Sequence, residues 1–519
     1  MPLLPSVLLL VLGLLVWLVR NRSERAVWAV SVTGQWLVWL VVLGLHRFVP
    51  TNLSLSVWRP AELFRTPLVL TLDSTGWTMG FSIATLLLAI GLTSAARTGS
   101  ATPATRAFLA VYGALGMAAV VAGNLLTLAV LWAMMEVVAF STSLVLIRKR
   151  DIIPREILRL AVQGTSVGLL LGAAVLLGAS RTSPVPSRIV DWGYLLGLGA
   201  AFIRWGLFPA HYPLPSLPGI RRGLGTCLRL LPAAMGMVLV TRLLHDNPPA
   251  EILSALAWVG GLLALGSGIA WALHTDPVRR RPMLVLGLAG MTVGAAGLSP
   301  AGVSENVALA GSASLVLIGG MVSLAEPHEG WQRRWVLLAG FMLLGGPFMP
   351  GVAVIQALLG TGGLGSIIAG GLGLLAGVGL TVGVLRGAEV EPTPWPSGEQ
   401  LVRVSYVVGI ALFPVAGIGL SIGASSLPSV RSLGVFLAMS GATALAYYAY
   451  VRAGSAARQV MAKTTNRVTW PRPPGDLPRR LTAPLNGLLW VGDLVQGEAG
   501  MLWILFLLLV LAAIVGRTS

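Results

Sequence analysis

Glu136 lies near the middle of LLTLAVLWAMMEVVAFSTSLVLI (125–147), a run with no other charge, and it is the one acid at the centre of any long apolar stretch. At that depth in a bilayer a charge costs roughly 2.5–3.5 kcal/mol, so such an acid is by default a candidate for handling protons or ions. The competing reading is a protonated glutamate bonded to a neighbouring helix. Arg204 poses the same problem: it follows the uncharged WGYLLGLGAAF (192–202) and opens IRWGLFPAHYPLPSLPG (203–219). Counted from Leu125 and Trp192, Glu136 is the twelfth residue of its span and Arg204 the thirteenth. At 1.5 Å per residue both lie roughly 18 Å deep, and pairing removes most of the burial cost. Two uses of such a pair stay open: a static ion pair that fixes helix packing, or an ion pair within a proton pathway. His211, just beyond, has an imidazole that titrates near neutral pH; a solvated histidine at the cytoplasmic surface is an equal reading.

The backbone around these residues is unusual. Pro209 removes an N–H and opposes the preceding turn, and Pro213, Pro215 and Pro218 keep the helix from resuming. A second break is expected in LLGGPFMPGVAVIQALL (343–359), at Pro347 and Pro350. Freed carbonyls within a membrane survive only when buried in protein or lining a wet cavity, and paired broken helices mark ion sites in transporters built from inverted repeats. The second break has no such companion: no charge lies between Trp335 and Leu385, and Gln356 is the polar residue nearest to it.

The elements that hold these residues are membrane spans. Of 519 residues, 55% are hydrophobic and 11% charged, and the mean hydropathy is +0.82. Such a surface needs lipid as its solvent. About sixteen spans (fourteen to sixteen) are expected, giving an all-α polytopic membrane protein of the cell's inner (plasma) membrane. The expected organisation is N-terminal transmembrane helices over 1–105 and two inverted five-helix repeats over 106–244 and 252–385. Additional helices over 386–451, a polar cytoplasmic linker over 452–498 and a last transmembrane helix over 499–519 follow. The first apolar run, Leu3 to Val19, has no basic segment before it and reads as a retained helix. The net charge of +17 is carried by arginine clusters between apolar runs, such as RNRSER (20–25), RKRDIIPRE (148–156) and RRR (279–281). That pattern is positive-inside anchoring, with both termini outside, rather than a nucleic-acid-binding face. Cys227 is the only cysteine, which excludes internal disulfides and Cys-rich metal sites. With no nucleotide loop, no Ser/His/Asp set and no metal-ligand spacing, no cofactor, metal or catalytic residue is expected.

Together these features resemble the antiporter-like membrane subunits of respiratory complex I, whose relatives serve cation/proton antiporter complexes, membrane-bound hydrogenases and inorganic-carbon pumps. MMEVVAFSTSLVLI is similar to the family's Trp-Glu helix, with Met135 in place of the tryptophan. RWGLFPAHYPLP is similar to its Lys-x-x-x-x-Pro-x-His-x-x-Leu-Pro segment. There Pro209, His211, Leu214 and Pro215 match and Arg204 falls on the lysine. Asp276 and Arg279 echo an Asp-x-Lys-Arg stretch, GGPFMPG resembles the second broken helix, and LDSTGW (72–77) the usual start of the third span. The resemblance covers roughly residues 65 to 385. It implies a subunit of a complex I-like energy-converting assembly, with other membrane subunits, the lipid bilayer and protons or cations as partners. Any enzyme role would be that of a non-catalytic subunit of an NADH:quinone oxidoreductase-like or hydrogenase-like translocase.

The departures shape the expectation. The family moves protons through buried lysines and histidines. Arg204 replaces the first lysine, NVALAGSASLVLIGG (306–320) has neither lysine nor histidine, and Ile355 falls near the terminal lysine. Arginine stays charged where a buried lysine releases its proton. The expected function is therefore a contribution to proton translocation coupled to electron transfer, or a degenerate remnant of it. A standalone cation/proton transporter, a structural spacer and a membrane partner of an inorganic-carbon pump are the alternatives.

Overall fold

The computed structural model describes residues 1–55, 67–96, 102–146, 153–180, 187–206, 222–246, 248–274, 280–359, 363–390, 392, 394–395, 400–423 and 430–452. Pro209, His211, Asp276, Arg279, the 453–498 part of the expected linker and the expected last helix lie outside these residues. The chain is an all-α polytopic membrane protein. Twelve of the described helices are long and apolar enough to cross a bilayer. The sixteen-span expectation also counted the 15-residue α1, the span around α7 with Arg204, the span 335–355 that the structure breaks into the short helices α12 and α13, and 499–515.

The described residues form two compact units. The first comprises residues 1–95 and the described part of 99–239. It holds α1 (Leu4–Leu18), α2 (Glu24–Leu45), α3 (Ser74–Thr93), α4 (Pro103–Val120), α5 (Leu125–Leu146), α6 (Ile153–Ser180), α7 (Ser187–Trp205) and most of α8 (Arg222–His245). Helices α3 and α4 are apolar all round and buried over nearly their whole length, which makes them the core. Leu231 of α8 packs on Gly116 of α4, and Ile90 of α3 on Gly223. Exposed Leu37, Leu40 and Leu43 on α2 present an apolar outer surface.

One feature of this unit has no helical signature. Residues Thr51–Leu55 (β1) and Leu68–Leu72 (β2) form an antiparallel pair, with Thr51 opposite Leu72. The chain after α4 extends the ribbon: Thr71 N–H donates to the Val121 carbonyl at 2.6 Å, and Gly123 N–H to the Val69 carbonyl at 2.8 Å. Backbone groups that no helix satisfies are thereby paired, as a low-dielectric surrounding demands. Asp73, at the end of β2, caps α3 by accepting from Gly76 N–H at 2.7 Å.

The second unit holds the described residues from Val240 onwards. It contains α9 (Ala250–Leu273), α10 (Arg281–Leu298), α11 (Ser304–Leu324), α12 (Gln332–Leu343), α13 (Gly351–Leu358), α14 (Leu364–Leu385), α15 (Gln400–Gly423) and α16 (Val430–Arg452). Helices α9 and α10 meet backbone to backbone, with Gly260 against Gly290 and Gly294, the close approach that small residues permit within membranes. Between α12 and α13 the helix is broken. Pro347 lies in the gap and Pro350 immediately before α13, while Gly345 and Phe348 both take φ of 65°. Gln356 is exposed on α13.

Candidate functional site

The first unit gathers four of its buried charges in one place, apart from buried Arg106 on α4 and Arg229 on α8. Helix α5 is set by the β-ribbon: Asn124 accepts from Thr127 N–H at 2.8 Å and donates to the Pro67 carbonyl at 2.7 Å, and the Thr127 hydroxyl accepts from Val69 N–H at 2.9 Å. About two and three turns on, Trp132 and Glu136 share a face, as residues four apart do. Both are buried, while Val137 on the other side is half exposed.

Helix α6 brings the polar residues that face them. Glu156, Arg159, Gln163 and Ser166 are all buried, and their spacing of three, four and three places them on one stripe. The outer side of α6 carries exposed Ala161, Gly164 and Gly168. The first half of α6 thus turns a polar stripe towards protein, the reverse of a water-soluble surface helix, while its second half buries Leu170, Ala173 and Leu177.

Arg204 lies in the last turn of α7, where a cation also complements the helix dipole. The helix stops at Trp205, ahead of Pro209. Gly206 takes φ of 85°, and its N–H donates to the Ile203 carbonyl at 3.1 Å, a glycine stop that needs no proline. Gly236 on α8 makes room behind the arginine: a Cβ there would lie 3.1 Å from Arg204 Cβ and 2.7 Å from Trp205 Nε1.

These helices bring four charges into an alternating row. Arg204 Nη1 donates to Glu136 Oε1. Arg159 Nη1 donates to Glu136 Oε2 at 3.2 Å, and Arg159 Nε to Glu156 Oε2 at 2.9 Å. The order Glu156, Arg159, Glu136, Arg204 sums to zero. Trp132 covers one face of Arg204, with Cζ 4.3 Å from the ring centroid, a cation–π contact strengthened by desolvation. Tyr112 of α4, fully buried, lies within the field of Glu136, Arg159 and Arg204. Such a row can hold a proton or displace one charge against another while staying neutral overall. It cannot relay protons through its arginines, which keep theirs. No group of His, Cys, Asp and Glu suited to a metal occurs among the described residues.

With this geometry, the comparisons with solved structures are specific. A chain of the Mrp complex from Dietzia sp. DQ12-45-1b superposes with a TM-score of 0.68 at 16% identity, over 99% of this chain and 62% of that one. A chain of the membrane-bound sulfane sulfur reductase, an archaeal respiratory membrane complex, superposes with a TM-score of 0.65 at 14% identity, over 98% and 99%. For respiratory complex I from Thermus thermophilus the values are 0.62 and 17%, over 85% and 99%. The chain shares its fold with membrane chains of these three complexes. This chain thus spans somewhat under two thirds of the Mrp chain and nearly all of the other two. No family profile matches the sequence, and no curated protein does.

Sequence reasoning singled out Glu136 and Arg204 and passed over Arg159 and Glu156. The sequence reading places Glu156 at the end of the charged loop RKRDIIPRE (148–156), three residues before Arg159. The helix instead begins at Ile153. The signal was the spacing Glu156, Arg159, Gln163, Ser166, a polar stripe within an apolar helix. Met135, aligned with the family's tryptophan, is buried, and the ring that stacks on Arg204 belongs to Trp132, one turn earlier.

Proposed function

We propose that this chain is the antiporter-like subunit of a multi-subunit, energy-converting complex of a cell's inner membrane, in which the first unit carries an electrostatic element of a proton path and the second carries none. The observation behind this reading is Glu136 held between two guanidiniums in a fold shared with chains of three such complexes. An acid clamped in this way responds to a neighbouring charge: drawing Arg204 or Arg159 aside changes its affinity for a proton. The second unit has no charge between Trp335 and Leu385, so its broken helix offers no titratable group. One carboxylate does not by itself bridge a hydrocarbon core of ~30 Å. The isolated subunit is therefore a poor antiporter and works only when partner subunits supply the rest of the route.

Reconstitution tests this. Purified chain in liposomes, given a pH gradient with and without sodium, is expected to dissipate it no faster than empty vesicles. The complex purified in mild detergent is expected to retain further membrane subunits. Rapid dissipation by the chain alone, abolished by Glu136→Gln, would overturn the proposal and favour a standalone transporter.

A further inference from the structure

The charged row has more donors than the protein can satisfy. Arg204 Nε and Nη2, Arg159 Nη2, Tyr112 Oη and Trp132 Nε1 are buried and meet no acceptor among the described residues. They belong together. Both guanidiniums sit on the Glu136 carboxylate, Trp132 lies one turn before Glu136 and stacks on Arg204, and buried Tyr112 lies within the field of the same charges. Buried donors without acceptors are costly, and each calls for an occupant. What they lack is an acceptor. Both oxygens of Glu136 and Oε2 of Glu156 already receive guanidinium hydrogens. A water that accepts here must also donate, and Gln163 Oε1, one turn from Arg159, is a buried acceptor without a donor; it takes up little of what five open donor atoms require. A small anion accepts from several donors and donates nothing.

Charge decides when such an anion can enter. With Glu136 and Glu156 ionised, the two arginines are balanced, and an added negative charge in a buried site is strongly opposed. A proton on Glu136 frees both guanidiniums and leaves the row at plus one, which a monovalent anion restores to zero. We propose that the Glu136–Arg159–Arg204 cluster binds one small monovalent anion, of halide size, together with one proton on Glu136. The groups around Glu136 are Arg159 and, through it, Glu156 from α6, Arg204 from α7 and Tyr112 from α4, with Cys227 of α8 acting on Tyr112. None of the others combines a carboxylate's charge change with contact to both arginines, so Glu136 is where the proton goes. The site is an equilibrium binding site and does not depend on whether the subunit conducts.

The test is chloride binding to the full chain in lipid nanodiscs, without a gradient, with gluconate replacing chloride at constant ionic strength. Bound ³⁶Cl⁻ and proton uptake in weak buffer are measured together. The expectation is saturable binding of one chloride per chain, weakening about tenfold per pH unit as pH rises, because one proton is linked to one anion. Chloride addition then draws up to one proton per chain. Glu136→Gln is expected to bind chloride independently of pH and to take up no proton. Tyr112→Phe and Trp132→Phe each remove one donor, keep the charges in place and are expected to weaken binding, so the result does not hang on an arginine variant that fails to fold. No saturable chloride between pH 5 and 8, in either the native chain or Glu136→Gln, would mean that water alone meets these donors and would overturn the proposal. Unchanged pH dependence in Glu136→Gln would overturn the proton linkage.

Discussion

Removing Glu136 has a cost that the structure divides unequally between its two partners. Arg159 keeps Glu156 at 2.9 Å, but Arg204, 1% exposed, has Glu136 as its only carboxylate among the described residues. Glu136→Met therefore strands one buried guanidinium. Breaking a buried pair from one side costs ~3–5 kcal/mol, mostly from the uncompensated charge. Arg204→Met costs less, because Glu136 keeps its contact with Arg159, which then serves two carboxylates; ~2–4 kcal/mol is expected. The double variant leaves neither charge, retains the Glu156–Arg159 pair and places two flexible apolar side chains of similar length in the gap. Replacing a whole buried pair by apolar residues is often neutral, so the double variant is expected within ~2 kcal/mol of the native chain. The four proteins are compared by reversible unfolding in mixed micelles with increasing SDS. The cycle is expected to give a coupling of ~3 kcal/mol or more. Additivity within ~0.5 kcal/mol, the behaviour of independent sites, would refute the claim that the contact is energetically coupled.

Two further substitutions test the supports of the site and of the broken helix. Gly236→Ala places a methyl group 2.7 Å from Trp205 Nε1 and 3.1 Å from Arg204 Cβ. The end of α7 must shift, with a loss of ~1–3 kcal/mol in the same unfolding assay and a weaker response to Glu136→Met. Gly345→Ala forces a side chain onto a left-handed backbone, φ 65°, and against Ile355 Cγ1 at 2.8 Å. It is expected to lower stability by ~1–2 kcal/mol or more, whereas Gly441→Ala on α16, where a Cβ meets nothing, should change stability little.

What the sequence revealed and what it hid have separate physical causes. Long apolar runs mark spans because the bilayer permits little else, so α3, α5, α9, α11 and α14 lie close to where hydropathy places them. A charge amid such a run is visible for the same reason, which is how Glu136 and Arg204 stand out. Arg159 escaped because it lies near the start of a helix, where arginines ordinarily reach the interface; only tertiary packing shows that this start is buried. The β-ribbon was hidden because LVLTL (68–72) is too short for a periodic signal and finds its partner through β1 and the backbone at 121–123. Gly206 was eclipsed by the prolines after it. Proline is conspicuous in sequence, whereas a glycine's left-handed turn becomes evident only in the backbone.

The spacing of the charged row along the chain bears on how the protein is made. Glu136 enters the membrane during synthesis before either of its partners exists. Arg159 follows 23 residues later and Arg204 68 residues later. At 5–20 residues per second, these intervals are roughly 1–5 s and 3–14 s. For that first interval a ribosome-bound intermediate holds a helix with a naked acid, and its earliest rescue comes from α6, which arrives with Glu156 and Arg159 already one turn apart. A hairpin of α5 and α6 can thus settle as a unit of low net charge, leaving Arg204 to lock it when α7 is threaded in. Glu156, Arg159 and Arg204 stand in the row in their order of birth, and Glu136, made first, ends between the two arginines that it must wait for.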